Sequence, residues 1–186
     1  MRTLAITQNV TVDGSVEMLS DWFDAQGQAG VDNTELIETL NADSRASDAV
    51  LVGRHTFEAL RSYWPQQTDD ATGVTEHLNQ VQKYVVSSTM TDPAWRNSTI
   101  LSGDPIEHTR NLKEQPGQEI VVTGSITLCH AIIEAGLVDQ IRLFVYPVVQ
   151  GRGRRLFPDG YQVPRLRLLD SRAFKSGVTY SRYAMA

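Results

Sequence analysis

Hydrophobic positions along the chain switch between two spacings, and each switch marks an expected element. Over residues 3–11, Leu4, Ile6 and Val10 alternate with polar neighbours, the two-residue period of a half-buried strand. Asp13-Gly14 then marks a turn. Trp22 and Phe23 open a short segment that runs into the glycine-bearing stretch 27–30. Asp32 or Asn33 can cap a helix that carries Leu36, Ile37 and Leu40 at helical spacing and ends near Asp43. Ala49-Val50-Leu51-Val52 is wholly apolar, as expected of a strand buried on both faces. Residues 56–63 read as a helix stopped by Pro65, 66–73 as a polar loop, and a further helix is expected to about Gln80.

The second half repeats one rhythm. Apolar strands are expected at 83–86, 99–101 and 120–122, with helices at 106–114 and 126–135, the latter closed by Gly136. A long strand over 141–149 is broken by Gly151 and Gly153. Residues 163–174 and 178–185 then form a closing antiparallel pair around Ser176-Gly177. Strands alternating with helices predict an α/β fold with a mostly parallel central sheet, helices on both faces and an antiparallel C-terminal hairpin. No repeat or linker interrupts the pattern, so residues 1–186 are expected to form one domain.

Composition narrows the function classes. A hydrophobic fraction of 41% and a charged fraction of 21% are those of an ordinary globular protein. No window is apolar for long enough to span a membrane, and the start of the chain turns polar too early for a secretory signal. Cys129 is the one cysteine, so an intrachain disulfide is excluded, and a small buried hydrophobe is the expected role. The cytoplasm is the expected compartment. The net charge of −5 is uneven, because nine Lys or Arg follow residue 139 against two acids. Those positives are spread through strands without interleaved aromatics, which favours an anionic small molecule over nucleic acid.

Three strand-to-helix turns carry the candidate chemistry: Gly53-Arg54-His55-Thr56, Ser87-Ser88-Thr89, and Gly124-Ser125-Ile126-Thr127. Each could be a plain tight turn. In open α/β sheets, however, ligands sit beyond the carboxyl ends of the strands, where helix N-termini favour phosphate. Three such turns together point to an extended, phosphorylated ligand such as a dinucleotide. No G-x-G-x-x-G follows the first strand, no P-loop and no G-x-S-x-G elbow occurs, and the four histidines lack metal-ligand spacing, so no metal is expected.

In order along the chain, these segments resemble the dihydrofolate reductase superfamily. Val50-Leu51-Val52-Gly53-Arg54-His55-Thr56-Phe57-Glu58 is similar to its strand running into G-R-x-T-[FWY]-E. Val85-Val86-Ser87-Ser88-Thr89 resembles its adenosine-side loop, and Val121-Val122-Thr123-Gly124-Ser125 its glycine turn beneath the nicotinamide and pyrophosphate. Residues 136–139, 146–153 and 156–158 resemble the C-terminal domain of the riboflavin-biosynthesis reductase. The resemblance runs from Leu4 to about Phe157 and implies a three-layer reductase fold.

The resemblance also implies roles. Gly53, Arg54, His55 and Thr56 would hold the diphosphate of NADPH, Ser87, Ser88 and Thr89 would meet the adenosine ribose with its 2′-phosphate, and Thr123, Gly124, Ser125 and Ile126 would approach the pyrophosphate and nicotinamide. Asp13, in Thr11-Val12-Asp13-Gly14, would sit near substrate, and the proton-donating acid of the helix before the G-R-x-T strand falls around Ile37, with Glu38 or Glu35 nearby. The implied activity is hydride transfer from NADPH to a C=N or C=O group of a small heterocycle, pterin-like or ribosylaminopyrimidine-like. A nucleotide-binding module without efficient chemistry is the alternative. No H-x-E or P-C-x-x-C zinc-deaminase motif occurs in the sequence, and relatives of this type often form homodimers, so a homodimer is a further expectation.

Overall fold

A computed structural model describes residues 1–20, 22, 30–162 and 165–185. The described elements are β1 (Leu4–Thr11), α1 (Thr34–Ala46), β2 (Ser47–Gly53), α2 (Arg54–Tyr63), a 3-10 turn (Trp64–Gln66), α3 (Val74–Gln80), β3 (Gln82–Val86) and β4 (Ser98–Leu101). They continue with α4 (Pro105–Glu114), β5 (Glu119–Thr123), α5 (Ile126–Glu134), β6 (Gln140–Tyr146), β7 (Arg167–Ala173) and β8 (Thr179–Ala184). The strands make one eight-stranded sheet in the order β4-β3-β2-β5-β1-β6-β8-β7. From β4 to β6 every pairing is parallel, and β8 runs antiparallel to both β6 and β7. This is the mixed, mostly parallel α/β sheet with a C-terminal hairpin that the hydrophobic pattern predicts.

Two layers of helices cover the sheet. In register, Leu4 pairs with Ile120 and Ile6 with Val122, while Ala49 and Leu51 of β2 meet the same two β5 residues. These side chains form one apolar cluster with Leu112 of α4 and Leu128, Ile132 and Ile133 of α5. The opposite face carries the alternate residues. Val50, Val52 and Val85 pack with Phe57 of α2 and Leu78 of α3, and Phe144 and Tyr180 pack with Leu36 of α1. Each fully buried leucine or phenylalanine contributes roughly 1.5–3 kcal/mol.

Some expected boundaries move for local reasons. The long strand ends at Tyr146 instead of Val149, because Pro147 has no N–H for the ladder and Val148 N–H turns back to the Tyr146 carbonyl at 2.7 Å. Helix α1 continues past Asp43 to Ala46 and leads directly into β2. β7 begins at Arg167. Val163, expected at its start, lies outside the described residues, as do Phe23 and positions 27–29.

Polar groups are also buried in the α1 layer. Arg142 on β6 is 2% exposed and donates to Glu119 at 2.6 Å, with Asp43 of α1 at 3.6 Å. Tyr180 OH donates to Asp43 at 3.2 Å. Burial raises the pKa of both carboxyls against the opposing pull of Arg142. Between the α1 and α2 clusters a strip of the sheet stays half-exposed. It contains the paired Thr7 and Thr123, with Asn9 beyond.

Candidate functional site

Helices α2 and α5 begin where β2 and β5, adjacent central strands, end. The N-termini of the other three α-helices among the described residues are already supplied with negative charge. Asp32 accepts from Thr34 N–H in α1, Asp70 from Thr75 N–H in α3, and Asp104 from Ile106 N–H in α4. Their first turns also carry Glu35, Glu76 and Glu107. Neither α2 nor α5 has an acidic residue in its first turn or a side-chain cap. Their orphan N–H groups and positive dipole ends are left for an external anion.

Both uncapped ends line one cleft of about 300 Å³, together with Gly53, Arg54, His55, Thr56, Gly124, Ser125 and Ile126. Hydrogen bonds fasten the two turns to each other. Gly53 N–H donates to Ser125 Oγ at 2.9 Å, and Ser125 N–H donates to Thr56 Oγ1 at 2.8 Å. Ser125 thus spends its hydroxyl on the neighbouring strand end instead of capping its own helix. Gly124 and Ser125 both adopt left-handed conformations, at φ 57° and 49°. A Cβ on Gly124 would lie 2.8 Å from Thr56 Cγ2 and 2.9 Å from its Oγ1, so glycine is needed for the turns to close on each other.

Beneath the turn, Gln8 Nε2 donates to the Gly124 carbonyl at 2.7 Å, and Cys129 Sγ donates to it at 3.3 Å. Burial pushes the Cys129 thiol up to about 12, so it serves as a packed, un-ionised group. Ile126 is also buried, and only its backbone can serve the cleft.

The remaining implied residues are placed unequally. Ser87 is buried, and its hydroxyl accepts from Thr89 and Met90 N–H, whereas Ser88 and Thr89 are exposed at the end of β3. Thr123 belongs to the half-exposed strip. Asp13 lines neither described cleft. Its carboxylate accepts from Thr11 Oγ1 at 2.6 Å, Gln150 N–H at 3.1 Å and Gly151 N–H at 2.7 Å, which lowers its pKa to about 2. It anchors the 147–153 loop and holds no proton to give at neutral pH. Glu38 lies on the solvent side of α1, while Leu36 and Thr39 face inward. The structure brings neither carboxylate to the cleft.

Glu17, Met18, Thr127, Leu128 and Arg154 complete the 300 Å³ cleft. Arg154 Nε lies 3.0 Å from Glu17 Oε1, an ion pair that closes one wall. Sequence reasoning missed this wall, although the arginine-rich run 152–155 was a signal for it. A second cleft of about 590 Å³ opens between the start of α1 and the chain that follows α2, lined by Thr34, Ile37, Trp64, Gln67 and Asp69 among others.

The RibD C-terminal domain family matches residues 2–180. Among curated proteins, the chain is 31% identical over 188 residues to YyaP, an uncharacterized protein of Bacillus subtilis, covering 98% of this chain and 94% of that one. It is 25% identical over 166 residues to the uncharacterized YwjB of the same organism, covering 89% and 84%. Among solved structures, a provisionally assigned riboflavin biosynthesis protein from Shewanella sp. PV-4 superposes with a TM-score of 0.72 at 15% identity, covering 99% of each chain. A deaminase/5-amino-6-(5-phosphoribosylamino)uracil reductase from Thermotoga maritima superposes with a TM-score of 0.65 at 16% identity, and this chain spans 57% of its length.

Proposed function

Because the chain belongs to the RibD C-terminal domain family, we propose that it is an NADPH-dependent reductase acting on a C=N or C=O group of a small heterocycle. The observation that carries this reading is the pair of uncapped, acid-free helix N-termini meeting at one cleft beside the central strands. A diphosphate matches that donor set: backbone N–H groups of the first turns of α2 and α5, with the Arg54 and Arg154 side chains at the walls. Gly53 and Gly124 keep the floor free of side chains. The exposed Ser88 and Thr89 hydroxyls are the groups offered to the adenosine ribose.

When bound, NADPH supplies a hydride from its nicotinamide. The chain contributes position. Gln8 and Cys129 hold the Gly124 carbonyl from below, Thr56 holds Ser125, and the half-exposed strip of Thr7, Asn9 and Thr123 offers hydroxyl and amide groups to a planar ring.

Titration of the purified protein with NADPH and NADH tests this, followed by NADPH oxidation with dihydrofolate and a panel of small carbonyls. Tight, NADPH-preferring binding with turnover is expected, and failure to bind either nucleotide refutes the reading. One observation favours a second reading, a nucleotide-binding module without efficient reductase activity: Asp13 and Glu38 both lie away from the cleft. Binding without turnover on any carbonyl or imine substrate would establish it.

A further inference from the structure

The 590 Å³ cleft lies on the sheet face that α1 and α2 cover, the face that also carries the half-exposed strip. Thr34 and Ile37 of α1 form one wall, and Trp64, Gln67 and Asp69 after α2 form the other. Among the described residues, no side chain hydrogen-bonds to the side chains of Thr7, Asn9 or Thr123, so the strip offers polar groups to a ligand from the centre of a sheet. Resting on the reductase reading, we propose that this cleft takes a phosphate-free heterocycle, neutral or cationic, and discriminates against phosphorylated substrates.

The charge lining the cleft sets this preference. Asp32, Asp69 and Asp70 line the cleft, and no lysine, arginine or histidine does so among the described residues. The stretches of chain that carry the lining residues are equally one-sided, with no Lys, Arg or His from residue 30 to 44 or from 62 to 76. Asp70 is held as a carboxylate despite its partial burial, because it accepts from Thr72 and from Thr75 N–H. A cation does stand at the rim. Lys175 Nζ is 3.5 Å from Asp32 Oδ2, so these two charges offset each other and Asp69 and Asp70 carry the negative charge of the cleft. A phosphate ester entering here would lose water and meet carboxylates, with no guanidinium or uncapped helix to replace its solvation. At the other cleft Arg54 and Arg154 stand beside the uncapped helix ends, each paired with an acid, Glu58 at 3.8 Å and Glu17 at 3.0 Å, so the free helix N–H groups carry the anion-accepting character there. The protein therefore separates its charges: an anion-accepting end for the cofactor and an anion-rejecting end for the substrate.

The matched probes are a hydroxymethyl dihydropterin and its phosphate monoester, titrated calorimetrically into protein saturated with NADP⁺. Saturation fills the anion-accepting cleft and prevents turnover. The free alcohol is expected to bind about tenfold more tightly than the ester at low salt, with the gap narrowing as salt screens the carboxylates. Asp69→Lys is expected to narrow the gap at low salt by about threefold or more. Equal or tighter binding of the ester overturns the proposal, as does failure of both probes to bind the saturated protein. Failure of NADP⁺ itself to bind, measured first, removes the reductase reading and this inference with it.

Discussion

Replacing Gly124 with alanine tests the closure of the two turns directly. At φ 57° an L-residue costs about 1–2 kcal/mol more than glycine. The new Cβ would also stand 2.8 Å from Thr56 Cγ2 and 2.9 Å from Thr56 Oγ1, an overpacking worth about 1–3 kcal/mol. Gly124→Ala is therefore expected to cost about 2–5 kcal/mol. Thr56→Ala alone removes the 2.8 Å bond from Ser125 N–H, at about 1 kcal/mol. In the double variant both close atoms are gone, and the nearest remaining contact on Thr56 is Cβ at an ordinary 3.5 Å. The double variant should then be about 1–3 kcal/mol more stable than the sum of the single effects. Urea unfolding of the four proteins measures this, with NADPH titration alongside, where the single glycine variant should bind most weakly. Additivity within about 0.5 kcal/mol would refute the claim that Thr56 and Gly124 require each other.

Lys83 is 1% exposed, donates to the Leu78 and Val81 carbonyls, and lies 4.7 Å from the Trp95 ring centre. Burial lowers its pKa from 10.5 to about 8, with Arg96 adding to the effect. The folded state thus binds fewer protons than the unfolded state between those values, so stability should rise with pH across that window, by up to about 3 kcal/mol. Lys83→Met should flatten that rise in urea titrations, and an unchanged slope would exclude Lys83 as its source. Arg142→Met strands the Glu119 and Asp43 carboxylates and should cost about 3–5 kcal/mol at neutral pH. Burial already raises both carboxyls above their unfolded values, and losing Arg142 removes the charge that opposes this, so the folded variant binds extra protons as pH falls and its deficit should shrink on acidification from neutral pH. A pH-independent deficit in thermal unfolding would count against this. Asp13→Asn should speed hydrogen exchange at the Gln150 and Gly151 amides, and unchanged protection there would show that Asp13 does not hold the loop.

Within the chain, residue spacing was enough to reveal the strands and helices, because a two- or 3.6-residue period is imposed by whichever side of each element faces apolar neighbours. Spacing also revealed the turns at Gly53 and Gly124, since glycine and hydroxyl residues between an apolar strand and a helix mark a local backbone need. The excess of positive charge toward the C-terminus was likewise a property of composition. What spacing could not reveal was which helix ends are already satisfied. Asp32 was legible as a candidate cap, but Asp70 and Asp104 meet first-turn N–H groups only through the conformation of their loops, and only that conformation singles out α2 and α5 as the helices left open. Nor could it show that Gly124 is constrained by Thr56, whose hydroxyl binds Ser125 N–H across 69 residues of sequence. That contact exists because β2 and β5 are neighbours in the sheet. The same limit explains the two carboxylates nominated near substrate: Glu38 is turned outward by the phase of α1, and Asp13 is claimed by the amides of a loop that arrives from 137 and 138 residues away. Local sequence constrains each element's own backbone and its buried side; the strand order alone decides which polar atoms meet and which remain for a ligand.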